Sequence, residues 1–141
     1  MRWNPYLTFD GNCEAAFTFY EKVLGGKIVA MMRFGETPAA EFVPAEHRNG
    51  IMHAALLVGD QTLMGSDTTP EHPYEGVTGS TVALHVETPA EAESVFAALS
   101  EGGTITMPLD ETFWAQRFGM FTDKFGVPWL VNCAPPMCGE G

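Results

Sequence analysis

Residues 14–28, EAAFTFYEKVLGGKI, and residues 91–105, EAESVFAALSEGGTI, are the stretches that decide the fold class. A shift of 77 residues aligns them, with five identities in the thirteen positions from 14 to 26. The same shift places Leu84 over Leu7. Internal similarity of this kind predicts repeated structural units, and two copies are too few for a solenoid. The sequence therefore predicts one domain built from two related modules.

A predicted helix occupies each of the two repeated stretches. The second helix has a clear start, because Thr88 can cap it, Pro89 suits its first position and Glu91 follows the cap by three residues. Glycine pairs at 25–26 and 102–103 predict the helix ends, since glycine adopts the left-handed conformation that closes a helix. The residues expected to face the sheet are Ala16, Phe19, Tyr20 and Val23 in the first helix and Ala92, Val95, Phe96 and Leu99 in the second.

Strand-forming segments surround each helix. They are predicted at 5–9, 27–34, 51–58 and 62–66 in the first module and at 81–86, 104–109, 117–122 and 128–132 in the second. The order is therefore β-α-β-β-β, twice. This is an α+β fold of two pseudo-twofold related modules in tandem, each with a curved, mixed or antiparallel sheet. We expect each helix to cover one face of its sheet and the other faces to enclose a cavity.

A segment rich in proline and glycine joins the two modules. We expect a single domain over residues 1–141, with modules at about 4–67 and 80–133, a linker at 68–79 and a flexible tail at 134–141. Residues 35–50 show no long periodicity, although 44–48 could form one helical turn. Long connecting segments of this kind often shape a binding site.

The charge balance excludes two classes of partner. Eighteen acidic residues against seven basic ones give a formal net charge of −11, whereas nucleic acids and anionic membranes attract clustered Lys and Arg. The start of the chain lacks the apolar segment of a signal peptide, and no apolar run approaches the roughly 18 residues that span a bilayer. The three cysteines, Cys13, Cys133 and Cys138, are scattered and form no C-x-x-C pair. These features predict a reduced, cytoplasmic protein.

Several stretches resemble a known protein family. They are PYLTFDGN at 5–12, MHA at 52–54, LMGSD at 63–67, FWAQRFG at 113–119 and DKFGVPW at 123–129. With the doubled βαβββ module, they resemble the PhnB-like (demethylubiquinone methyltransferase-like) branch of the vicinal oxygen chelate superfamily, which includes glyoxalases, bleomycin-resistance proteins and extradiol dioxygenases. The resemblance implies a U-shaped sheet in each module, one shared cavity and a homodimer. No glycine-rich loop follows the first strand with an acid at the end of the next, so the residues do not support the methyltransferase label.

In metal-dependent members, the resemblance implies His, Gln or Glu ligands on the first and last strands of each module. Strand alternation gives the inward positions here as Asn4, Tyr6, Thr8, Met64, Ser66, Thr81, Ala83, His85, Leu130 and Asn132. None of these is acidic, and His85 alone is a good ligand for a divalent cation. Leu130 stands where metal-binding relatives carry Glu. A catalytic metal normally has about three protein ligands, so we predict no metal site and no cofactor. Binding of a divalent metal remains an alternative if His53 also points inward.

The pocket is expected to have apolar walls and few polar anchors, as sites for small molecules usually do. The predicted ligand-binding residues are Tyr6, Thr8, His53, Met64, Ser66, Thr81, His85, Trp114, Phe118, Phe121 and Trp129. His85 is the best candidate for a catalytic group, because an imidazole titrates near neutral pH and can act as a general base. A purely structural His85, bonded to Thr81 or Thr8, is the alternative. Asp123 is expected to close a turn, and Cys13 to pack as a small apolar residue rather than act as a nucleophile.

Three functions are compatible with this pattern. The missing carboxylates favour a metal-independent protein that binds a small-molecule ligand, as a sequestering or sensing module. The alternative is a metal-dependent lyase, isomerase or dioxygenase with noncanonical ligands such as His53 and His85. A partner-binding adaptor is the least favoured, because nothing in the sequence indicates an exposed apolar helix face.

Overall fold

The computed structural model describes residues 1–135. The chain divides into two compact units, Met1–Val77 and a second that starts at Thr78. The helices and strands are β1 Tyr6–Phe9, α1 Cys13–Leu24, β2 Lys27–Arg33, β3 Ile51–Val58, β4 Gln61–Asp67, β5 Val82–Val86, α2 Pro89–Ser100, β6 Thr104–Asp110, β7 Arg117–Thr122 and β8 Pro128–Cys133. Of the tail predicted to be flexible, residues 136–141, which include Cys138, lie outside the described residues.

The two sheets have the same topology. The strand order is β1-β4-β3-β2 in the first unit and β5-β8-β7-β6 in the second. In each sheet the first and last strands pair in parallel, and the other neighbours pair antiparallel. Parallel neighbours cannot be joined by a tight turn, so the chain leaves the first strand through the helix and returns through a hairpin. The predicted α+β class and βαβββ order are confirmed.

The helix faces differ from the prediction in one of the two units. In α2 the buried residues are Ala92, Phe96 and Leu99, all of which were predicted to face the sheet, while the fourth predicted residue, Val95, is half-buried. In α1 the buried residues are Cys13, Ala16, Phe17 and Tyr20. The prediction of Phe19 and Val23 for this face was wrong, because both are only half-buried and Phe17 packs against the sheet instead.

The loop before α1 and the loop after α2 are each one residue longer than their counterparts in the other unit. This difference explains why the buried face of α1 is rotated relative to the prediction. Three residues separate β1 from α1, but only two separate β5 from α2. The helices therefore correspond at a shift of 76 residues, which places Ala16 and Tyr20 over Ala92 and Phe96. Glu101 is the extra residue after α2, and it restores the shift of 77 for the following strands.

The two helices begin with different chemistry. The side chain of Asn12 does not cap α1. Instead, the buried Asp67 at the end of β4 accepts hydrogen bonds from the Cys13 N–H at 2.9 Å and from the Ile51 N–H at 2.8 Å. In α2 the predicted cap is confirmed, because the Glu91 N–H donates to Thr88 Oγ1 at 3.1 Å.

The segment between β2 and β3 is folded into short turns. Three 3-10 helices lie there, at Phe34–Glu36, Pro38–Phe42 and Ala45–His47, and the third falls on the predicted helical turn at 44–48. Thr37 caps the second of them by accepting a hydrogen bond from the Ala39 N–H at 3.2 Å. No helix in the described part of the chain has the length and apolar character needed to cross a membrane.

A second buried carboxylate closes the turn between β7 and β8. Asp123 Oδ1 accepts hydrogen bonds from the backbone N–H groups of Phe125 at 2.9 Å and Val127 at 3.0 Å. Asp123 Oδ2 accepts the indole N–H of Trp129 at 2.8 Å. The expected turn-closing role of Asp123 is confirmed, and the carboxylate also anchors a core tryptophan that is 1% exposed.

The substitution Asp123→Asn tests this arrangement. Asparagine has the same shape as aspartate, but its NH₂ group replaces one of the two acceptor oxygens. At least one of the three N–H donors then loses its acceptor and lies against this NH₂ group. We expect the free energy of unfolding to fall by about 2 kcal/mol, measured by urea unfolding followed by circular dichroism. Asp60→Asn, in the exposed turn between β3 and β4, is the matched control and should change little. Equal losses in the two variants would contradict the role given to Asp123.

Candidate functional site

Each sheet has one face packed against its helix and an opposite face, called here the open face. In β1, Leu7 and Phe9 are buried, and the Phe9 ring contacts the Phe17 ring of α1 at 6.0 Å between centroids. Tyr6 and Thr8 alternate with them and are exposed. The period-two alternation of strand side chains therefore puts Tyr6 and Thr8 on the open face.

The open face of the first sheet brings Tyr6 and His53 together. Their rings stack with centroids 5.8 Å apart, and Tyr6 Oη lies 3.2 Å from His53 Nδ1. His53 thus shares the open face with Tyr6, which settles the orientation that the sequence left undecided. Met64 and Ser66 are register partners of Tyr6 and Thr8 and are half-buried on the same face.

The open face of the second sheet carries a polar pair beside aromatic rings. His85 and Asn132 are register partners on β5 and β8, and His85 Nδ1 lies 3.3 Å from Asn132 Nδ2. Asn132 in turn pairs with Phe118 on β7, so the three side chains form one row across the sheet. The Trp114 ring packs edge-on against Phe118 at 5.4 Å, and Phe113 packs against Trp114 at 4.8 Å.

Two predicted pocket residues lie elsewhere. Phe121 and Trp129 are each 1% exposed and belong to the core. The Phe121 ring contacts Phe96 of α2 at 5.1 Å, and Trp129 is held by Asp123. Both occupy the strand parity that faces the helix, so their prediction as pocket-lining residues needs correction. Thr81 is exposed and precedes β5 instead of lying within it.

Two residues of the second open face were missing from the predicted site. Asn132 had been placed on the inward side of its strand, but its partnership with His85 depends on the parallel pairing of β5 with β8. Phe113 is 96% exposed and is joined to the aromatic rings of this face by its contact with Trp114. The signal that could have found Asn132 is its next-to-last place in the last strand of its module, which matches the place of Ser66 in the first module.

Comparison with known proteins assigns the family. The sequence model of the Glyoxalase/Bleomycin resistance protein/Dioxygenase superfamily matches residues 2–131. The chain belongs to this superfamily. Membership agrees with the two βαβββ units and with the resemblance seen in the sequence motifs.

Proteins similar to this chain come from several bacteria. Protein YjdN of Escherichia coli (strain K12) is 36% identical over 140 residues, which cover 94% of this chain and 95% of YjdN. The crystal structure of PA1353 from Pseudomonas aeruginosa is 51% identical, with a TM-score of 0.88, and the match covers 95% of this chain and 98% of that one. A PhnB protein from Bacillus cereus is 27% identical, with a TM-score of 0.79 and coverage of 95% and 100%. The PhnB-like branch is therefore supported by structure as well as by sequence.

Some members of the superfamily bind a divalent cation, which requires several donor atoms that converge on one point. Among the expected inward positions, the first sheet holds Thr8 paired with Ser66, and the second holds His85 paired with Asn132, with Leu130 where metal-binding relatives carry Glu. Hydroxyl and amide groups compete poorly with water for such ions. The two imidazoles, His53 and His85, lie on different sheets, and neither sheet alone supplies the usual three ligands. No group of three or more His, Cys, Asp or Glu side chains that could hold a metal is found among residues 1–135. Neither open face by itself therefore offers the ligand set of a usual catalytic metal site.

Cys13 lies at the start of α1 but is not placed to act as a nucleophile. It is fully buried. Burial raises the pKa of its thiol from 9.0 to about 12, and the nearby carboxylates of Asp67 and Glu14 add to the increase. The thiolate, which is the reactive form, is therefore strongly disfavoured in the folded protein.

We expect Cys13 to resist alkylation in the native state. Treatment with iodoacetamide at about pH 8 should leave it unmodified, because both its burial and its raised pKa suppress the thiolate. Peptide mass spectrometry measures the modification, and the same treatment in urea, where Cys13 reacts, is the control. Rapid native labelling would contradict the assignment.

The same shift makes stability depend on pH. Since the folded pKa is higher than the unfolded one, the contribution of the Cys13 thiol is complete below about pH 9 and is lost as the pH rises toward 12. The difference in unfolding free energy between the wild type and Cys13→Ala should therefore be constant below pH 9 and shrink above it. A difference that grows above pH 9 would show the opposite sign.

Proposed function

We propose that this PhnB-like superfamily member binds a small organic molecule at the open face of its second sheet, without a metal ion. The observation that carries the proposal is the single row of His85, Asn132 and Phe118, extended by Trp114. Apolar rings beside a few polar groups are the usual composition of a small-molecule site. This row offers a divalent cation one imidazole and no carboxylate, which is short of the usual three ligands.

The polar end of this row has a defined hydrogen-bonding pattern. An amide N–H can only donate, so the Asn132 Nδ2 group at 3.3 Å makes His85 Nδ1 the acceptor. With Nδ1 as the acceptor, the ring proton of His85 lies on Nε2, which can donate to a ligand. The side chain of His85 is exposed, so a ligand can reach it.

Asn132 supplies a second indication of a ligand. Its Oδ1 atom and Asn12 Oδ1 are the two buried side-chain nitrogen or oxygen atoms that have no hydrogen-bond partner among residues 1–135. Buried polar atoms are nearly always hydrogen-bonded, and an unpaired one costs about 1–3 kcal/mol. A small rotation of the Asn132 amide toward a bound donor would remove this cost.

The aromatic end favours a ligand with a flat apolar part. Trp114 is 46% exposed and Phe113 is 96% exposed, although both are large apolar side chains. Exposed apolar groups of this size beside polar anchors indicate a contact surface. We therefore propose a ligand with a flat apolar part and a group that accepts a hydrogen bond from His85.

A ligand screen in metal-chelating buffer tests the proposal. We expect at least one metabolite to raise the melting temperature in the presence of EDTA, since a ligand at 100 times its dissociation constant adds about 2.7 kcal/mol of stability. Titration calorimetry of that compound should show affinity reduced about tenfold or more in His85→Ala and in Trp114→Ala.

Phe42→Ala is the matched control, because Phe42 is an exposed aromatic residue, 77% accessible, in the first unit. It should leave the affinity unchanged. Binding that needs an added divalent cation, or that survives both substitutions on the open face, would contradict the proposal.

A further inference from the structure

The first unit contains a cleft that is separate from both open faces. Its volume is about 520 Å³, and it lies where β1 and β4 end and α1 begins. Its lining comes from the loop after β1, the third 3-10 helix and the segment after β4. Neither the Tyr6–His53 pair nor Met64 or Ser66 takes part in the lining. A volume of this size accommodates a small organic molecule.

The walls of the cleft are held by hydrogen bonds. Asp67 joins the start of α1 to the start of β3 through the N–H groups of Cys13 and Ile51. The Thr68 N–H donates to the Phe9 carbonyl oxygen at 2.9 Å, and the Gly50 N–H donates to the His47 carbonyl oxygen at 3.0 Å. The start of α1, the turn before β3 and the beginning of the segment after β4 are therefore each fixed by hydrogen bonds at the edge of the cleft.

The charge of the lining is negative. Asp10 and Glu46 are exposed carboxylates that line the cleft, and Asp67 adds a buried third carboxylate. His47 also lines the cleft, but no Lys or Arg does so among the described residues. In a chain with a net charge of −11, this lining attracts cations and repels anions.

The arginines that flank the cleft are already engaged. Arg33 pairs with Glu14 at 2.8 Å and donates to the Asn49 carbonyl oxygen at 2.9 Å. Arg48 donates to the carbonyl oxygens of Ala40 and Val43. Their guanidinium groups are therefore not directed to neutralising Asp10 and Glu46.

The remaining lining identifies the kind of cation. Tyr74, Pro70 and Pro73 contribute an aromatic ring and apolar surface from the segment after β4. A bare divalent cation needs several converging ligands, and no such group is found in the part of the chain that the structure describes. An ammonium group can pair with carboxylates while its apolar body contacts a tyrosine face and prolines. We infer that this cleft binds a small organic ammonium compound.

Titration of the ¹⁵N-labelled protein with benzylamine tests the inference. Benzylamine is protonated at neutral pH and combines an ammonium group with a flat apolar ring. We expect saturable shifts of the amide signals of Gly11, Gly50 and Thr69, which line the cleft. Benzyl alcohol, which has the same shape without the charge, should bind about tenfold more weakly.

The double variant Asp10→Asn, Glu46→Gln removes both exposed carboxylates and should weaken benzylamine binding about tenfold. Asp60→Asn, Glu41→Gln removes the same charge from exposed positions outside the lining and should leave affinity within about twofold. Both variants keep Asp67, so the amide spectrum should show an unchanged fold.

Three results would overturn the inference. They are equal affinity for benzylamine and benzyl alcohol, equal weakening by the two double variants, and benzylamine shifts that map to residues outside the cleft. The inference would also be overturned if calcium chloride caused saturable shifts of the same amide signals and benzylamine caused none, because the cleft would then bind a metal ion.

Discussion

The carboxylate of Asp67 is the contact on which the first unit depends. One oxygen accepts the first N–H of α1 and the other accepts the first N–H of β3, so β4 is joined to both. Cys133 holds the equivalent place in the second sheet, where it pairs with Val86 as Asp67 pairs with Phe9. No carboxylate is needed there, because α2 begins with Pro89, which has no N–H, and is capped by Thr88. The units thus share a topology while their helices begin with different chemistry.

Each helix covers one face of its sheet, so the side chains on the opposite face can differ between the two units. The row that holds Thr8 and Ser66 in the first sheet holds His85 and Asn132 in the second. The first face has instead a stacked Tyr6–His53 pair. These hydroxyl, amide and imidazole groups can form directional hydrogen bonds, but neither face by itself supplies the three ligands of a usual catalytic metal site. The proposed organic ligand would meet such groups on the open face of the second sheet.

The acidic side chains of the chain are distributed by role. Asp67 and Asp123 are buried and bonded to N–H donors, so they hold the fold together. Asp10 and Glu46 are exposed on the cleft of the first unit, where their charge is available to a ligand. The open face of the second sheet presents His85 and aromatic rings instead. Two surfaces of different chemistry thus follow from where the carboxylates lie.

The sequence by itself determined the repeat, because the two copies can be aligned residue by residue. It also determined the order of the elements, the cap at Thr88 and the turn at Asp123, because these depend on neighbours within a few residues. Only the tertiary structure decided which side of α1 is buried, because one extra residue before the helix rotates it. It also placed Phe121 and Trp129 in the core, although alternation from Asn132 already puts Trp129 on the helix side. Pairing partners such as His85 and Asn132 lie 47 residues apart, and such contacts depend on strand register, which local sequence does not encode.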